Sequence, residues 1–198
     1  MRTLVRSLTV LLVLLPLSLS AGDEKAAKQQ ADQQAAMEAM IKAGTPGAPH
    51  KHLAGMEGTW SATVKFWEGG QEMVSKGTSW NKMILGGRWL EQRFESDMMG
   101  QKFEGVGYTG YDNIRKEYVA TWMDTMTTGM MTSTGQPGKA PATWELKGTM
   151  DDPLTGKASD VVSVHTEKSS DVHLFEMFGV APDGSRQKMM EIEYVRKK

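Results

Sequence analysis

Charged side chains stand among aromatic ones in the stretch from residue 80 to residue 112. Successive residues of a β-strand point to opposite faces, so Arg88, Gln92 and Phe94 would share one face and the residues between them would occupy the other. Neither face is purely apolar, a mixture typical of a strand beside a polar or water-filled cavity. The pattern leaves open whether the second face, which carries Arg93, is simply solvated. Arg88 and Gln92 are therefore predicted to line a cavity in which they meet a ligand.

The same mixture of aromatic and polar side chains recurs in two further stretches. Tyr118, Trp122 and Asp124 alternate with other residues in "KEYVATWMD", and Glu176 lies between apolar residues in "HLFEMF". An aromatic surface with a few convergent polar groups is typical of a pocket for an amphipathic molecule. The predicted lining of the cavity is therefore Arg88, Gln92, Phe94, Tyr118, Trp122, Asp124 and Glu176.

No motif assigns a reaction. The Ser, Thr and His residues form no nucleophile elbow or triad motif, and no Gly-rich phosphate loop precedes a helix. Glu104 and Asp124 could share acid and base roles if the fold brought them within ~5–10 Å. No catalytic residue is assigned. Three classes stay open: a small-ligand binder, an enzyme that uses cavity carboxylates with Arg88 or Arg93, and a protein-interaction module.

Metal and cofactor chemistry has weak support in the sequence. The chain has no Cys, which excludes disulfides and thiolate metal sites, and its 16 Met include adjacent pairs whose members would face opposite sides of a strand. His50 and His52 are predicted to lie in an extended segment, while the relative facing of His165 and His173 depends on the register of their hairpin. We expect these four histidines to be exposed, and we expect no metal and no cofactor.

The N-terminus is predicted to direct export. Arg2 and Arg6 precede the apolar run "LTVLLVLLPLSL", and small residues follow it, which is the pattern of a cleavable signal peptide. The apolar run is shorter than the ~20 residues that span a bilayer. We therefore expect cleavage near Ala21, no membrane span afterwards, and a periplasmic or extracellular protein. The formal net charge of −1 gives no electrostatic reason to bind nucleic acid.

The rest of the chain divides into a helical segment and a β-rich one. Residues 23–43 are rich in Ala, Gln, Glu and Lys, which favours a helix, and "GTPGAP" follows as a linker. From Thr59 onward the residues favour short strands separated by Gly, Asn, Asp and Pro turns. The predicted strands are 58–67, 73–84, 88–97, 101–110, 116–124, 128–134, 142–150, 158–167, 171–179 and 187–196.

Ten strands joined by hairpin-sized loops predict an all-β fold, an antiparallel up-and-down barrel that closes so that no edge strand is left. The predicted organisation is a signal peptide at 1–21, a helix and linker at 22–49, and the barrel at 50–198.

Four stretches carry a resemblance to a known family: "HLAGMEGTW", "SKGTSWNKMILGGRWLEQRFESDMMGQKFEGVGYTGYDNIRKEYVATWMDTMTTGMM", "DDPLTGK" and "PDGSRQKMMEIEYVRK". Through them the chain closely resembles the bacterial domain-of-unknown-function family 1579. The resemblance implies a calycin-like barrel, the architecture of lipocalins and fatty-acid-binding proteins, and it implies no activity. Together with the predicted cavity, it leads us to expect an exported barrel that binds a small amphipathic or hydrophobic molecule.

Overall fold

The computed structural model describes residues 21–68, 70–98, 100–138 and 143–198. The predicted export signal at residues 1–21 lies outside these ranges except for Ala21. The chain forms two compact units, of which the first ends at Lys42 and the second is Ala43–Lys198. No helix within the described ranges is both long enough and apolar enough to cross a membrane.

Helix α1 (Ala21–Gly44) confirms the predicted N-terminal helix. Asp23 and Glu24 lie in its first turn and Lys42 in its last, an arrangement that favours a helix because it opposes the helix dipole. Every residue from Gly22 to Lys42 is exposed. The helix therefore depends mainly on the intrinsic propensity of its residues and on these charges.

Deletion of residues 22–42 is expected to change the free energy of unfolding of the barrel by less than ~1 kcal/mol, because this segment buries none of its side chains. Urea unfolding of the two forms measures the difference. The matched control is deletion of residues 22–54, which also removes helix α2 and should destabilise strongly. A large loss in the shorter deletion, at an unchanged m-value, would contradict the expectation.

The second unit is a closed barrel of ten antiparallel strands, as predicted. Each strand pairs with its neighbours in sequence, and β1 pairs with β10 to complete the ring. Short turns between successive strands allow this order, and closure leaves no unpaired strand edge. The strands are β1 (Gly58–Glu68), β2 (Gln71–Ile84), β3 (Trp89–Met98), β4 (Gln101–Asp112), β5 (Glu117–Asp124), β6 (Met131–Gly135), β7 (Thr143–Asp151), β8 (Ala158–Ser169), β9 (Val172–Val180) and β10 (Arg186–Arg196).

A second helix, α2 (Ala48–Ala54), occupies part of the segment predicted as linker and extended chain. Gly47 is its N-cap, a Pro lies in its first turn, and the Nδ1 atom of His50 accepts a hydrogen bond from the Gly47 N–H at 3.0 Å. Leu53 is fully buried, and the helix contacts β2, β3 and β4. Helix α2 therefore closes one end of the barrel, which we call the base.

Arg196 stabilises the base of the barrel through several contacts. Its guanidinium lies 4.0 Å from the centre of the Trp60 ring, and Trp60 is fully buried. The same guanidinium donates hydrogen bonds to the carbonyl of Gly55 at 2.8 Å and to the carbonyl of Ser170 at 3.0 Å. One side chain thus ties the residue after α2 and the β8–β9 turn to the last strand.

The interior contains two hydrophobic clusters. The first lies at the base, and its buried members are Leu53, Leu90, Tyr118, Trp144 and Leu146. The second has Ala62, Val64, Phe94 and Ile192 as buried members, with partly buried aromatic side chains packed against them. Within the described part of the chain, no helix covers the barrel end opposite the base, which we call the mouth.

Candidate functional site

Strand register decides which side chains line the barrel. Gln92 pairs with Asn81 and Gly107, and Phe94 pairs with Ser79 and Gly105, in register with buried residues of the adjacent strands. Gln92 and Phe94 therefore point inward, as predicted. The same alternation puts Tyr118, Trp122 and Asp124 on the inner face of β5. Whether these five side chains contact a ligand stays a prediction.

Aromatic and thioether side chains form the inner wall of the half of the barrel nearer the mouth. We call this set the upper wall, and the space that it borders the upper lumen; the set is Phe66, Phe94, Phe103, Trp122, Phe175 and Met190. Phe94 is 4% exposed, whereas the other five side chains are only half-buried although they face the inside of a closed barrel. Packing inside the barrel therefore does not cover these five inward-facing side chains completely.

The indole of Trp122 lies flat against strand β4. A Cβ atom at Gly105 would overlap the indole, and a Cβ atom at Gly107 would lie 2.8 Å from its Cε3 atom. Only glycine at these two positions allows the ring to lie this close to the backbone. Trp122 Nε1 also donates a hydrogen bond to Asp124 Oδ2 at 2.9 Å. These contacts hold the ring against the wall and away from the centre of the upper lumen.

A chain of hydrogen bonds crosses the barrel interior. Asn81 Nδ2 donates to the carbonyl of Met56 at 3.1 Å, and Ser79 Oγ donates to Asn81 Oδ1 at 2.7 Å. Gln92 Nε2 donates to Ser79 Oγ at 3.0 Å and to the hydroxyl of Tyr194 at 3.4 Å. Because β3 and β10 are three strands apart around the barrel, the last bond spans the interior. The Gln92–Tyr194 pair thus forms a polar floor beneath the upper lumen.

Aromatic rings and histidines pack together between this floor and helix α2. Trp144 stacks on His165 with ring centres 4.8 Å apart and on Tyr118 with centres 5.7 Å apart. The ring of His52, on α2, meets Trp144 edge-on at 4.7 Å. His173 meets the buried Trp60 at 4.5 Å in the same way. The sequence prediction that all four histidines are exposed is therefore wrong, because α2 and the inner wall enclose this cluster.

Burial keeps three titratable side chains of the interior uncharged near neutral pH. Desolvation, with His173 and His52 nearby, lowers the pKa of His165 to about 3. Desolvation, with Arg196 and His52 nearby, lowers the pKa of His173 to about 4. Burial also raises the pKa of Tyr194 to about 12. These three side chains are therefore neutral hydrogen-bonding groups between about pH 5 and pH 11.

Several polar atoms of the inner wall are buried without a hydrogen-bond partner in the described part of the chain. They are the hydroxyl oxygens of Ser75 and Ser96, Nε1 of Trp144 and Nε2 of His173. A buried polar group that lacks a partner costs about 1–3 kcal/mol. Such groups in a cavity wall are candidates for bonds to a ligand.

Arg88 is not part of the inner wall, contrary to the prediction. Strand β3 begins at Trp89, and Arg88 is an exposed residue of the β2–β3 turn, where Leu85 has a φ of 50°. Its Nη1 donates a hydrogen bond to the carbonyl of Leu85 at 3.0 Å. The strand was predicted to begin one residue too early, which assigned Arg88 to the face of Gln92. The outer face of β3 carries an ion pair between Arg93 and Glu91 at 3.0 Å.

Glu176 is also on the outer face of the barrel. It accepts a hydrogen bond from Lys188 at 2.5 Å, and Lys188 bonds Glu191 at 2.7 Å as well. His173, Phe175 and Met177 are the inward residues of β9, because they pair with inward residues of β8 and β10. Both faces of β9 mix polar and apolar side chains, so alternation alone could not distinguish them.

The structure does not bring together Glu104 and Asp124, the two carboxylates considered for acid and base roles. Asp124 faces inward at the mouth, whereas Glu104 lies on the outer face of β4 beside Lys102. His165 and His173 both face inward but are not paired directly, because His165 pairs with Phe175 and His173 pairs with Glu167. Within the described residues, no group of three or more His, Asp or Glu side chains could hold a metal ion.

Two surface depressions lie outside the inner wall. A groove of ≈ 430 Å³ on the outer face of β2 and β3 is lined by residues that include Lys76, Trp80 and Lys102. A smaller pocket of ≈ 160 Å³ beside α2 is lined by residues that include His50 and Arg88. Their linings mix opposite charges with a few apolar side chains, and neither depression opens into the upper lumen through the residues named for it.

Comparisons with known proteins identify a fold and no activity. The model of one family, described as "Protein of unknown function (DUF1579)", matches residues 45–196. The curated proteins include no significant match to the chain.

Solved structures resemble the barrel at low sequence identity. The crystal structure of Rv2717c from M. tuberculosis matches with a TM-score of 0.58 at 12% identity, over 77% of this chain and 100% of that one. A redesigned β-barrel matches with a TM-score of 0.40 at 17% identity, over 74% of this chain and 96% of that one. At such identities the first likeness supports the fold alone.

Proposed function

The chain belongs to the DUF1579 family of proteins of unknown function, and we propose that its barrel binds a small, mainly apolar molecule in the upper lumen. We base this proposal on the side chains of the upper wall. Aromatic side chains face the inside of a closed barrel and still keep accessible surface, as expected of a preformed apolar pocket.

The position of helix α2 gives the lumen one entrance. The base is closed by buried Leu53 and by the contacts of Arg196, so a ligand would enter at the mouth. Trp122, held by Asp124, stands on the wall near this end and offers an aromatic face to an entering molecule. This arrangement supports a binding role, which would depend mainly on the side chains of the upper wall.

The structure does not bring together the residues that suggested a catalytic role. Arg88 and Arg93 lie outside the inner wall, and Glu104 and Asp124 are on opposite faces of the sheet. An enzyme that pairs a cavity carboxylate with one of these arginines is therefore not supported. An interaction module would use the outer groove near Trp80, and the binding experiment below separates that possibility from a lumen ligand.

The test uses Prodan, an uncharged fluorescent naphthyl ketone whose emission shifts to the blue in apolar surroundings. We expect saturable 1:1 binding with a blue shift. Gly105→Ala should weaken binding roughly fivefold or more, about 1 kcal/mol, because the new methyl group pushes the Trp122 indole into the lumen. Gly129→Ala is the matched control, since a Cβ atom there meets nothing closer than 3.8 Å. Equal affinities of both variants and the parent would place the dye outside the upper lumen.

We also propose that the protein is exported, because the first 20 residues have the composition of a cleavable signal. The intact mass of the protein, recovered from the periplasm or medium of a bacterial host, should correspond to a chain that begins near Ala21. A full-length mass in the cytoplasmic fraction alone would refute export.

A further inference from the structure

We propose that the ligand is uncharged and carries a carbonyl-type acceptor, which binds the hydroxyl of Tyr194 at the floor of the upper lumen. This inference rests on the proposed function and specifies its ligand class. It follows from the direction of the hydrogen bonds in the floor and from the charges on the inner wall.

The polar floor leaves one hydrogen-bond donor available to a ligand, the hydroxyl group of Tyr194. Both Nε2 protons of Gln92 are used, one by Ser79 and one by the oxygen of Tyr194. The Tyr194 oxygen is therefore already an acceptor, and its own proton must point away from the Gln92 amide. Among the described residues the Tyr194 hydroxyl makes no second hydrogen bond, and its ring packs in the same cluster as the upper wall. The hydroxyl is thus a fixed donor at the floor of an apolar space.

The rest of the chain of hydrogen bonds fixes the direction of this donor. Ser79 is fully buried and donates to Asn81, and Asn81 donates to the carbonyl of Met56. Because Ser79 donates its one proton to Asn81, its oxygen can accept only from the Gln92 N–H, and a reversed Gln92 amide would bring two acceptor oxygens together. A donor positioned in this way favours a ligand acceptor without reorganisation on binding.

The charges of the inner wall disfavour an anionic ligand, since the strand carboxylate already placed at the mouth, Asp124, faces inward. Among the basic side chains that the structure describes on the strands, only Arg196 has inward register, and it is bonded to backbone carbonyls at the base. His165 and His173 are neutral above about pH 5. An anion in the upper lumen would therefore be desolvated with no opposite charge beside it, which is strongly unfavourable. With Arg88 outside, the described residues place no cation in the upper lumen that could hold the head group of a fatty acid.

Three ligands that differ in one group test the inference: 2-acetylnaphthalene, 2-ethylnaphthalene and 2-naphthoate. Their affinities are measured by displacement of Prodan at pH 7.5. We expect 2-acetylnaphthalene to bind about five- to tenfold more tightly than 2-ethylnaphthalene, the range of one neutral hydrogen bond. We expect 2-naphthoate to bind at least tenfold more weakly than the ketone.

Tyr194→Phe should remove the preference for the ketone and leave the affinity for 2-ethylnaphthalene unchanged. Tyr108→Phe is the matched control, because Tyr108 lies on the outer face of β4, and it should keep the preference. Binding of both uncharged ligands with equal affinity in the parent protein would overturn the inference and leave the proposed function intact. Tighter binding of the naphthoate would overturn it as well. Failure of all three ligands and of Prodan to bind would refute the proposed function itself.

Discussion

Lowering the pH from 7.5 to 5 is expected to reduce the free energy of unfolding by roughly 4 kcal/mol. Burial lowers the pKa of His165 to about 3 and that of His173 to about 4, whereas both would titrate near 6.5 in the unfolded chain. Below pH 6.5 the unfolded state therefore binds more protons than the folded state, and stability falls as the pH falls. The window of the loss runs from 6.5 down to the two folded pKa values.

Urea unfolding at a series of pH values measures this loss. The range above pH 5 is chosen because carboxyl groups of model peptides titrate near ~4 and imidazole groups near ~6.5. A double variant, His165→Phe with His173→Phe, keeps an aromatic ring at both positions and removes the titration. Its loss between pH 7.5 and 5 should be less than half that of the parent. A constant stability of the parent over this range would show that the two imidazoles are accessible to water and protons.

Leu53→Ala is expected to destabilise the barrel by about 2–5 kcal/mol. Leu53 is fully buried and packs with Leu90, Tyr118 and Trp144 in the cluster that closes the base. Removing three side-chain carbons there leaves a cavity that the surrounding rings can fill only in part. Denaturant unfolding at constant m-value measures the change.

Leu154→Ala is the matched control for this substitution. Leu154 is 94% exposed in the β7–β8 turn, so its truncation should change the free energy of unfolding by no more than about 0.5 kcal/mol. An equally small effect of Leu53→Ala would mean that helix α2 does not close the barrel, and that a ligand could reach the interior from either end.

The barrel could be predicted from the sequence because its turns are strongly marked. Runs such as "DDPLTGK" and "APDGS" contain the residues that tight turns require, and the strands between them are rich in Val, Thr and aromatic residues. All ten predicted strands exist, with ends displaced by at most a few residues. Because hairpin-sized loops join the strands, the simplest topology is an up-and-down order that closes into a ring.

Helix α2 was missed because it has seven residues and too few apolar positions to show a helical period. The signals that it does carry are local: Gly47 before it, Pro49 in its first turn and Gly55 after it. Its two buried residues, His50 and Leu53, would have indicated a helix face that docks on the barrel. Recognising the helix would also have placed His52 inside the base instead of in an exposed segment.

The inner wall could be predicted only in part, because several strands are mixed on both faces. On β3 the alternation correctly placed Gln92 and Phe94 inside. Arg88 was placed there as well because the strand was predicted to begin one residue too early. On β9 the choice between His173 and Glu176 depends on pairing with β8 and β10, which no local pattern contains. The consequence is chemical: with Arg88 and Glu176 outside, the lining predicted for a small amphipathic or hydrophobic molecule loses one cation and one carboxylate.

A crystal structure of the protein with 2-acetylnaphthalene tests the central claim most directly, because it locates the ligand and its carbonyl together. We expect the naphthalene ring in the upper lumen between Trp122 and Phe175, with its carbonyl oxygen within hydrogen-bond distance of the Tyr194 hydroxyl. A ligand bound only in the outer groove beside Trp80, with the upper lumen filled by rearranged side chains of the upper wall, would contradict it.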